Sequence, residues 1–137
     1  MYYFDSSALV KLVAAEPESE ALFEFIADKS DYVSSALARV ELLRAVKRAG
    51  GQEQLKRRAE QVLAGIALMR IDDGILEQAA RLEPPALRTL DAVHLATAMV
   101  LGGDLAGFVA YDRHLLVAAR AQGLEAVAPG LEKGPRE

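Results

Sequence analysis

Four acidic side chains stand in apolar surroundings, where acids are uncommon: Asp5 in YYFDSSAL, Glu41 in ARVELL, Asp91 in RTLDAVHLATA and Asp112 in VAYDRHLL. Acidic residues normally lie on solvated surfaces, so these placements need a reason. Carboxylates packed together repel one another unless a cation neutralises them, and oxygen-only ligands suit Mg²⁺ or Mn²⁺. If the four acids meet, they predict hydrolysis by metal-activated water.

Each acid taken alone also has a structural interpretation. An Asp at a strand end or in the first turn of a helix is often a helix cap, which would account equally well for Asp5, Asp91 or Asp112 singly. Glu41 is predicted in mid-helix, where it cannot cap, although it could pair with Arg44 or Arg39. Only the four acids together are specific for a function.

The elements that must position these acids alternate between short strands and helices. We predict strands at residues 2–4, 31–35, 68–71, 108–111 and 125–127, with helices between them and a helical hairpin around Gly50-Gly51. This alternation is typical of a parallel sheet covered on both faces. Asp5 and Asp112 follow strands directly, so we expect them at the carboxyl edge of the sheet, where α/β proteins bind ligands. The helices that carry Asp91 and Glu41 start at the same edge.

Composition narrows the class of protein. A chain of 137 residues with 52% apolar side chains predicts one domain with one compact core. The chain has no cysteine, which excludes disulfides, thiolate metal sites and cysteine nucleophiles and fits a reducing cytoplasm. No apolar run approaches the roughly 18 residues that span a bilayer. We therefore expect a cytoplasmic protein with no membrane partner.

The charge distribution locates a candidate nucleic-acid surface. The net charge is −4, so a polyanion would have to bind a local patch. Residues 39–58 carry seven basic and two acidic side chains. The candidate RNA contacts are Arg39, Arg44, Lys47 and Arg48 in this segment, and Arg113 beside Asp112. The alternative is that these charges form only solvated helix faces.

The strings FDSSALVKL, RVELLRA, LRTLDAVHLATA and AYDRHLLVAARAQGL, in this order, closely resemble the PIN-domain ribonucleases, particularly the VapC-type toxins of type II toxin–antitoxin pairs. The resemblance spans nearly the whole chain. It implies a three-layer α/β/α sandwich in residues 1–130, with a five-stranded parallel sheet of order 3-2-1-4-5 and a helical hairpin. Residues 131–137 are expected to form a frayed tail.

The resemblance also implies a function. It assigns the family's four Mg²⁺- or Mn²⁺-binding acids to Asp5, Glu41, Asp91 and Asp112. Ser6 matches the family's small hydroxyl residue and would orient water or a phosphate, unless Ser6 and Ser7 only cap the first helix. The expected activity is an endoribonuclease that leaves a 5′-phosphate and a 3′-hydroxyl, and the expected partners are RNA, a cognate antitoxin and a second copy of the chain.

Two alternatives to this function remain. The chain could be a non-catalytic PIN-like protein that binds RNA or a partner, since a fold does not determine an activity. It could also be a phosphatase with an aspartate nucleophile, but Asp5-Ser6-Ser7 lacks the second Asp expected there. We interpret His94 as a core residue and His114 as a surface residue, and we leave both outside the catalytic set.

Overall fold

Five short strands form one parallel sheet in the order β3-β2-β1-β4-β5 in the computed structural model, which describes residues 1–131. The strands are β1 (Tyr2–Phe4), β2 (Tyr32–Ser35), β3 (Ala67–Met69), β4 (Gly107–Val109) and β5 (Ala126–Val127). In this part of the chain the helices are α1 (Ser6–Val13), α2 (Ser19–Ile26), α3 (Ala36–Arg48), α4 (Glu53–Ala64), α5 (Asp73–Arg81), α6 (Thr89–Met99) and α7 (Arg113–Ala121). A 3₁₀ turn spans Gly102–Asp104. The predicted sheet order is confirmed.

The sheet is covered on both faces because successive strand residues point to opposite sides. Tyr3 and Phe108 stack on one face, with ring centroids 5.5 Å apart, in the core that α5, α6 and α7 complete. Phe4 and Val109 lie on the other face, in the core that α1 to α4 complete. The predicted three-layer α/β/α sandwich is therefore confirmed.

The connection order creates a crevice at the carboxyl ends of β1 and β4. From β1 the chain moves outward through β2 to β3, and then crosses to the opposite side of β1 to form β4. Ligand sites of open α/β sheets lie at such a switch point. The Asp5 backbone N–H donates to the Val109 carbonyl at 2.9 Å, which ties the two strand ends together.

The predicted helical hairpin is also present. α3 and α4 are joined through Gly50 and Gly51, whose φ angles of 113° and 65° lie in the left-handed region that favours glycine. The remaining differences are small shifts of element ends. For example, α1 ends at Val13 instead of Ala15, and β4 begins at Gly107 instead of Phe108.

Most of the tail expected at residues 131–137 lies outside the described residues. Leu131 itself packs against the core, and its backbone N–H donates to the Ala128 carbonyl at 3.0 Å. Tyr111 holds Pro129, two residues before Leu131, by donating its hydroxyl to the Pro129 carbonyl at 2.6 Å. Within residues 1–131, every helix is too short or too polar to cross a bilayer.

Candidate active site

Asp5 caps helix α1 with one carboxylate oxygen and leaves the other without a hydrogen-bond donor. Its Oδ2 accepts hydrogen bonds from the Ser7 backbone N–H at 3.1 Å and from the Ser7 hydroxyl at 2.6 Å. The prediction that Ser6 and Ser7 cap this helix was therefore wrong, because the strand ends one residue before Asp5 and leaves Asp5 at the N-cap. Oδ1 is buried and has no hydrogen-bond partner in the described part of the chain.

Capping and cation binding are therefore not exclusive roles for Asp5. A buried carboxylate oxygen without a donor is costly, and a bound cation would remove that cost. Ser7 has a second role, since its hydroxyl accepts the Tyr111 backbone N–H at 3.0 Å and fixes the loop that leads from β4 to Asp112. The sequence analysis did not identify this role of Ser7.

Glu41 is held by a buried histidine. The Nε2 atom of His94, a fully buried residue of α6, lies 2.6 Å from Glu41 Oε1, and its Nδ1 lies 2.7 Å from the Tyr3 hydroxyl. Because a carboxylate can only accept, Nε2 carries a proton. Glu41 therefore pairs with His94 and not with Arg44 or Arg39, the partners considered from the sequence.

His94 also interacts with Asp5. Its Nε2 lies 3.7 Å from Asp5 Oδ1, too far for a hydrogen bond but close enough for charge attraction. Burial lowers the pKa of His94, but the hydrogen bond to Glu41 and the charge of Asp5 outweigh it and raise the pKa above its usual value. His94 is a core residue as interpreted, yet it also positions an acid of the site. The one sequence signal for this was its position three residues after Asp91, one helical turn along α6.

Asp91 and Asp112 complete the group. Asp112 is the N-cap of α7, where its Oδ1 accepts the Leu115 backbone N–H at 3.0 Å. Asp91 lies in the first turn of α6, whose N-cap residue is Arg88, so the capping interpretation does not apply to Asp91. Burial, followed by the charges of Asp5 and Asp112, raises the pKa of Asp91 to about 6.

All four acids line a single cleft of about 460 Å³, which we call the acid cleft. Ser6 lines it too, where the resemblance placed a water- or phosphate-orienting hydroxyl. Three arginines contribute positive charge to the same cleft: Arg44 and Arg48 from α3, and Arg88 at the start of α6. The arrangement combines carboxylates that can hold a cation with guanidinium groups that can hold phosphate.

The predicted RNA contacts fall into two groups. Arg44 and Arg48 line the acid cleft, whereas Arg39 pairs with Glu60 of α4 at 3.0 Å and, like Lys47, lies outside the cleft lining. Arg113 begins α7 directly after Asp112. Arg88 was not among the predicted contacts, because its link to the cleft depends on how the loop before α6 packs.

The donor set fits a hydrated hard cation and not a closed metal cage. Within residues 1–131, no three His, Asp or Glu side chains form a ready-made metal-binding group. A structural zinc site would need four such ligands. Mg²⁺ keeps several waters and commonly binds one or two carboxylates together with substrate phosphates. The unpartnered Oδ1 of Asp5 and the like-charge repulsion at Asp91 match that mode of binding.

Comparison with known proteins identifies relatives over most of the chain. The PIN domain family matches residues 2–121. Ribonuclease VapC46 of Mycobacterium tuberculosis strain H37Rv is 45% identical over 127 residues, which cover 93% of this chain and 96% of that protein. Ribonuclease VapC35 of M. tuberculosis strain CDC 1551 is 45% identical over 134 residues, covering 95% and 98%.

Solved structures agree with this fold at lower identity. M. tuberculosis VapC20, described as a sarcin-ricin loop cleaving toxin, superposes with a TM-score of 0.73 at 19% identity and covers 94% of this chain and 100% of its own. VapBC2 of Rickettsia felis, bound to a promoter DNA fragment, gives a TM-score of 0.71 at 13% identity, covering 93% and 98%. A toxin–antitoxin complex from Klebsiella pneumoniae gives 0.64 at 21% identity, covering 82% and 87%.

The metal-free protein is expected to lose stability as the pH rises above 5. The Asp91 pKa of about 6 exceeds its ordinary 3.8, so the folded state holds a proton there that the unfolded chain has released, and this stabilisation is lost as pH rises through 6. The raised pKa of His94 adds stability that is complete below pH 6.5 and is lost as pH rises through its folded value. Urea unfolding in EDTA should show a fall of about 1–2 kcal/mol between pH 5 and pH 8. In Asp91→Asn, the free energy of unfolding should fall less with pH below pH 6.5. An equally steep fall in this variant would contradict the raised pKa of Asp91.

Removing the Tyr3 hydroxyl is expected to weaken the support of His94. Tyr3→Phe keeps the ring stacked on Phe108 but leaves His94 Nδ1 without its partner, which should cost about 1–2 kcal/mol and lower the melting temperature. Tyr2→Phe is the matched control, because the neighbouring Tyr2 hydroxyl makes no hydrogen bond within residues 1–131. Equal melting temperatures of the two variants would argue against a supporting role for Tyr3.

Proposed function

The chain belongs to the PIN-domain family, among the VapC ribonucleases of toxin–antitoxin pairs, and from that membership we propose that it is an endoribonuclease toxin that depends on Mg²⁺ or Mn²⁺. The observation that supports this proposal most directly is the acid cleft. Four acids from separate segments line one cleft beside three arginines, and one buried carboxylate oxygen there has no hydrogen-bond partner. Cytoplasmic RNA is the substrate class that fits this toxin assignment.

Three of the four acids are available to a cation, and the fourth, Glu41, already pairs with His94. Asp5, Asp91 and Asp112 would hold the cation, directly or through its waters, and Glu41, oriented by His94, would act as a further ligand or would orient those waters. When bound, the divalent cation lowers the pKa of water and stabilises the leaving oxygen. Asp5 and Asp112 each use one oxygen for a helix cap, which fixes their carboxylates before any ligand arrives.

The remaining groups of the cleft would position the RNA. Three arginines can each donate hydrogen bonds to phosphate oxygens: Arg44 and Arg48 of α3, and Arg88 at the start of α6. The Ser6 hydroxyl is placed to orient a water or a phosphate oxygen. Arg39 is engaged by Glu60, so we assign it a weaker part in RNA binding than Arg44 or Arg48. Lys47 and Arg113 remain candidate contacts outside the cleft lining.

The other two functions have less support. A non-catalytic RNA-binding protein would have no need for four acids in its binding cleft, since buried carboxylates repel phosphate and destabilise the fold. A phosphatase with an aspartate nucleophile would form a covalent phospho-Asp intermediate. Mass spectrometry after incubation with phosphate esters distinguishes this case, because the proposed enzyme gives no protein-bound phosphate.

The proposed partners are an antitoxin and a second copy of the chain. The Klebsiella pneumoniae neighbour is a toxin–antitoxin complex and the Rickettsia felis neighbour is VapBC2, and these similarities support an antitoxin as a partner. An antitoxin segment with a basic side chain over the acid cleft would replace the charge of the cation. The homodimer is a family-based proposal.

RNA cleavage is expected to require the divalent cation and the acids that hold it. Mg²⁺ or Mn²⁺ should support cleavage of RNA and excess EDTA should abolish it. Asp5→Asn and Asp91→Asn should each lower the cleavage rate by at least about a hundredfold while the chain stays folded, because Asn keeps the shape and loses the charge. Asp72→Asn is the matched control, since Asp72 caps α5 through the Ile75 N–H at 2.9 Å and lies outside the cleft lining. Undiminished cleavage in EDTA would refute the proposed metal dependence.

The protein is expected to be inhibited by an antitoxin and to form a homodimer. The product of a small reading frame next to this gene should bind the purified toxin and stop RNA cleavage, and analytical ultracentrifugation should show a dimer of the toxin at high concentration. A protein that stays monomeric, or that cleaves RNA equally well with the neighbouring product present, would count against these two partners.

A further inference from the structure

A second cavity of about 370 Å³ adjoins the acid cleft, between the loop at residues 84–87 and the first turns of α7. We propose that this cavity binds one unpaired base of the RNA, next to the phosphate that is cleaved. This inference rests on the proposed ribonuclease function. It adds a determinant of the cleavage sequence, which the binding of a cation and of phosphates alone does not provide. We call this cavity the base pocket.

The base pocket and the acid cleft share one wall. Arg88, Asp91 and Asp112 line both of them. An RNA strand whose phosphate lies over Asp91 and Asp112 therefore passes directly into the base pocket on one side. On the other side it meets Arg44 and Arg48 of α3, which line the acid cleft but not the base pocket. The two sides thus differ in chemistry, with a basic surface on one and a mainly apolar cavity on the other.

The lining of the base pocket suits a base better than a phosphate. The loop at residues 84–87 contributes Pro84, Ala86 and Leu87, and α7 contributes Val117. A phosphate in these apolar surroundings would lose hydration. A nucleobase is uncharged and flat, and it needs only a few polar contacts beside an apolar surface.

Two planar groups in the base pocket can contact a base face or edge. They are the His114 imidazole and the Arg88 guanidinium, and single-stranded RNA is commonly recognised by stacking on such groups. His114 and Val117 lie three residues apart on α7 and so present one face of that helix. Both side chains are exposed, which leaves them accessible to a ligand. His114, interpreted from the sequence as a surface residue, thus has a specific candidate role.

The first test is filling the base pocket. Val117→Phe places a larger side chain in it, and Val100→Phe is the matched control, since these valines are 66% and 60% exposed and Val100 lies at the far end of α6. Cleavage of an RNA library randomised around the cut site should show a changed base preference at one position beside the cut in Val117→Phe. On the preferred sequence, kcat/KM should fall about tenfold, as expected for the loss of one stacked base. Val100→Phe should match the wild type.

Each other outcome of this test has a defined meaning. Unchanged preference and kcat/KM in Val117→Phe would overturn the base pocket. If Val117→Phe cleaved RNA normally but resisted the antitoxin, the cavity would serve the antitoxin, which also overturns the proposal. Absence of cleavage by the wild type would instead refute the proposed function, and this is seen in the control reaction before any variant is compared.

The second test does not need cleavage. The chain has two histidines, and one of them, His94, is fully buried, so the imidazole signals in a proton NMR spectrum can be assigned with a His114→Ala variant. Short single-stranded RNA added in EDTA should shift the His114 signal and leave the His94 signal in place. A His114 signal that stays unchanged while fluorescence anisotropy shows the RNA bound would contradict the proposal.

Discussion

Mutual repulsion among four carboxylates is the constraint on which the site depends. The fold brings Asp5, Glu41, Asp91 and Asp112 to one cleft, where burial and like charges raise the pKa of Asp91. Part of the cost is offset locally, because Ser7 and the start of α7 donate to Asp5 and Asp112, and His94 donates to Glu41. The rest of this cost falls on Asp91 and on Asp5 Oδ1, which has no hydrogen-bond donor. A bound cation would stabilise the protein most at these two places.

The fold reduces this repulsion through its helix starts. Helices α1, α6 and α7 begin beside Asp5, Asp91 and Asp112 respectively, and the positive end of a helix dipole favours a nearby anion. The parallel sheet makes this arrangement possible, because every strand ends, and the next helix starts, at the same edge. A single architecture thus supplies the three acids, the donors that fix them and the crevice between β1 and β4. The same edge also presents Arg44, Arg48 and Arg88, so cation and phosphate binding share one surface.

The sequence predicted the fold through local patterns, and its resemblance to the PIN-domain ribonucleases supplied the strand order. Strand and helix periods predicted a parallel sheet, and the four acids found in apolar strings line one cleft of the structure. Contacts between distant segments were not predictable: Glu41 and His94 lie 53 residues apart, and their bond depends on how α3 and α6 cross the sheet. Arg39 pairs with Glu60 for the same kind of reason, since the angle of the α3–α4 hairpin decides which basic side chains face the cleft. Arg88 and the base pocket depend on the packing of one loop.

Thermal unfolding of RNA-free protein during a Mg²⁺ titration tests the central claim most directly. At pH 7.5 in EDTA, Asp91→Asn is expected to melt above the wild type, because it removes one of the repelling charges. Added Mg²⁺ should then raise the wild-type melting temperature more than that of Asp91→Asn, since the cation binds the folded site and has little affinity for the unfolded chain. A lower melting temperature of Asp91→Asn in EDTA, with an equal response of both proteins to Mg²⁺, would show that the acids do not form one cation site.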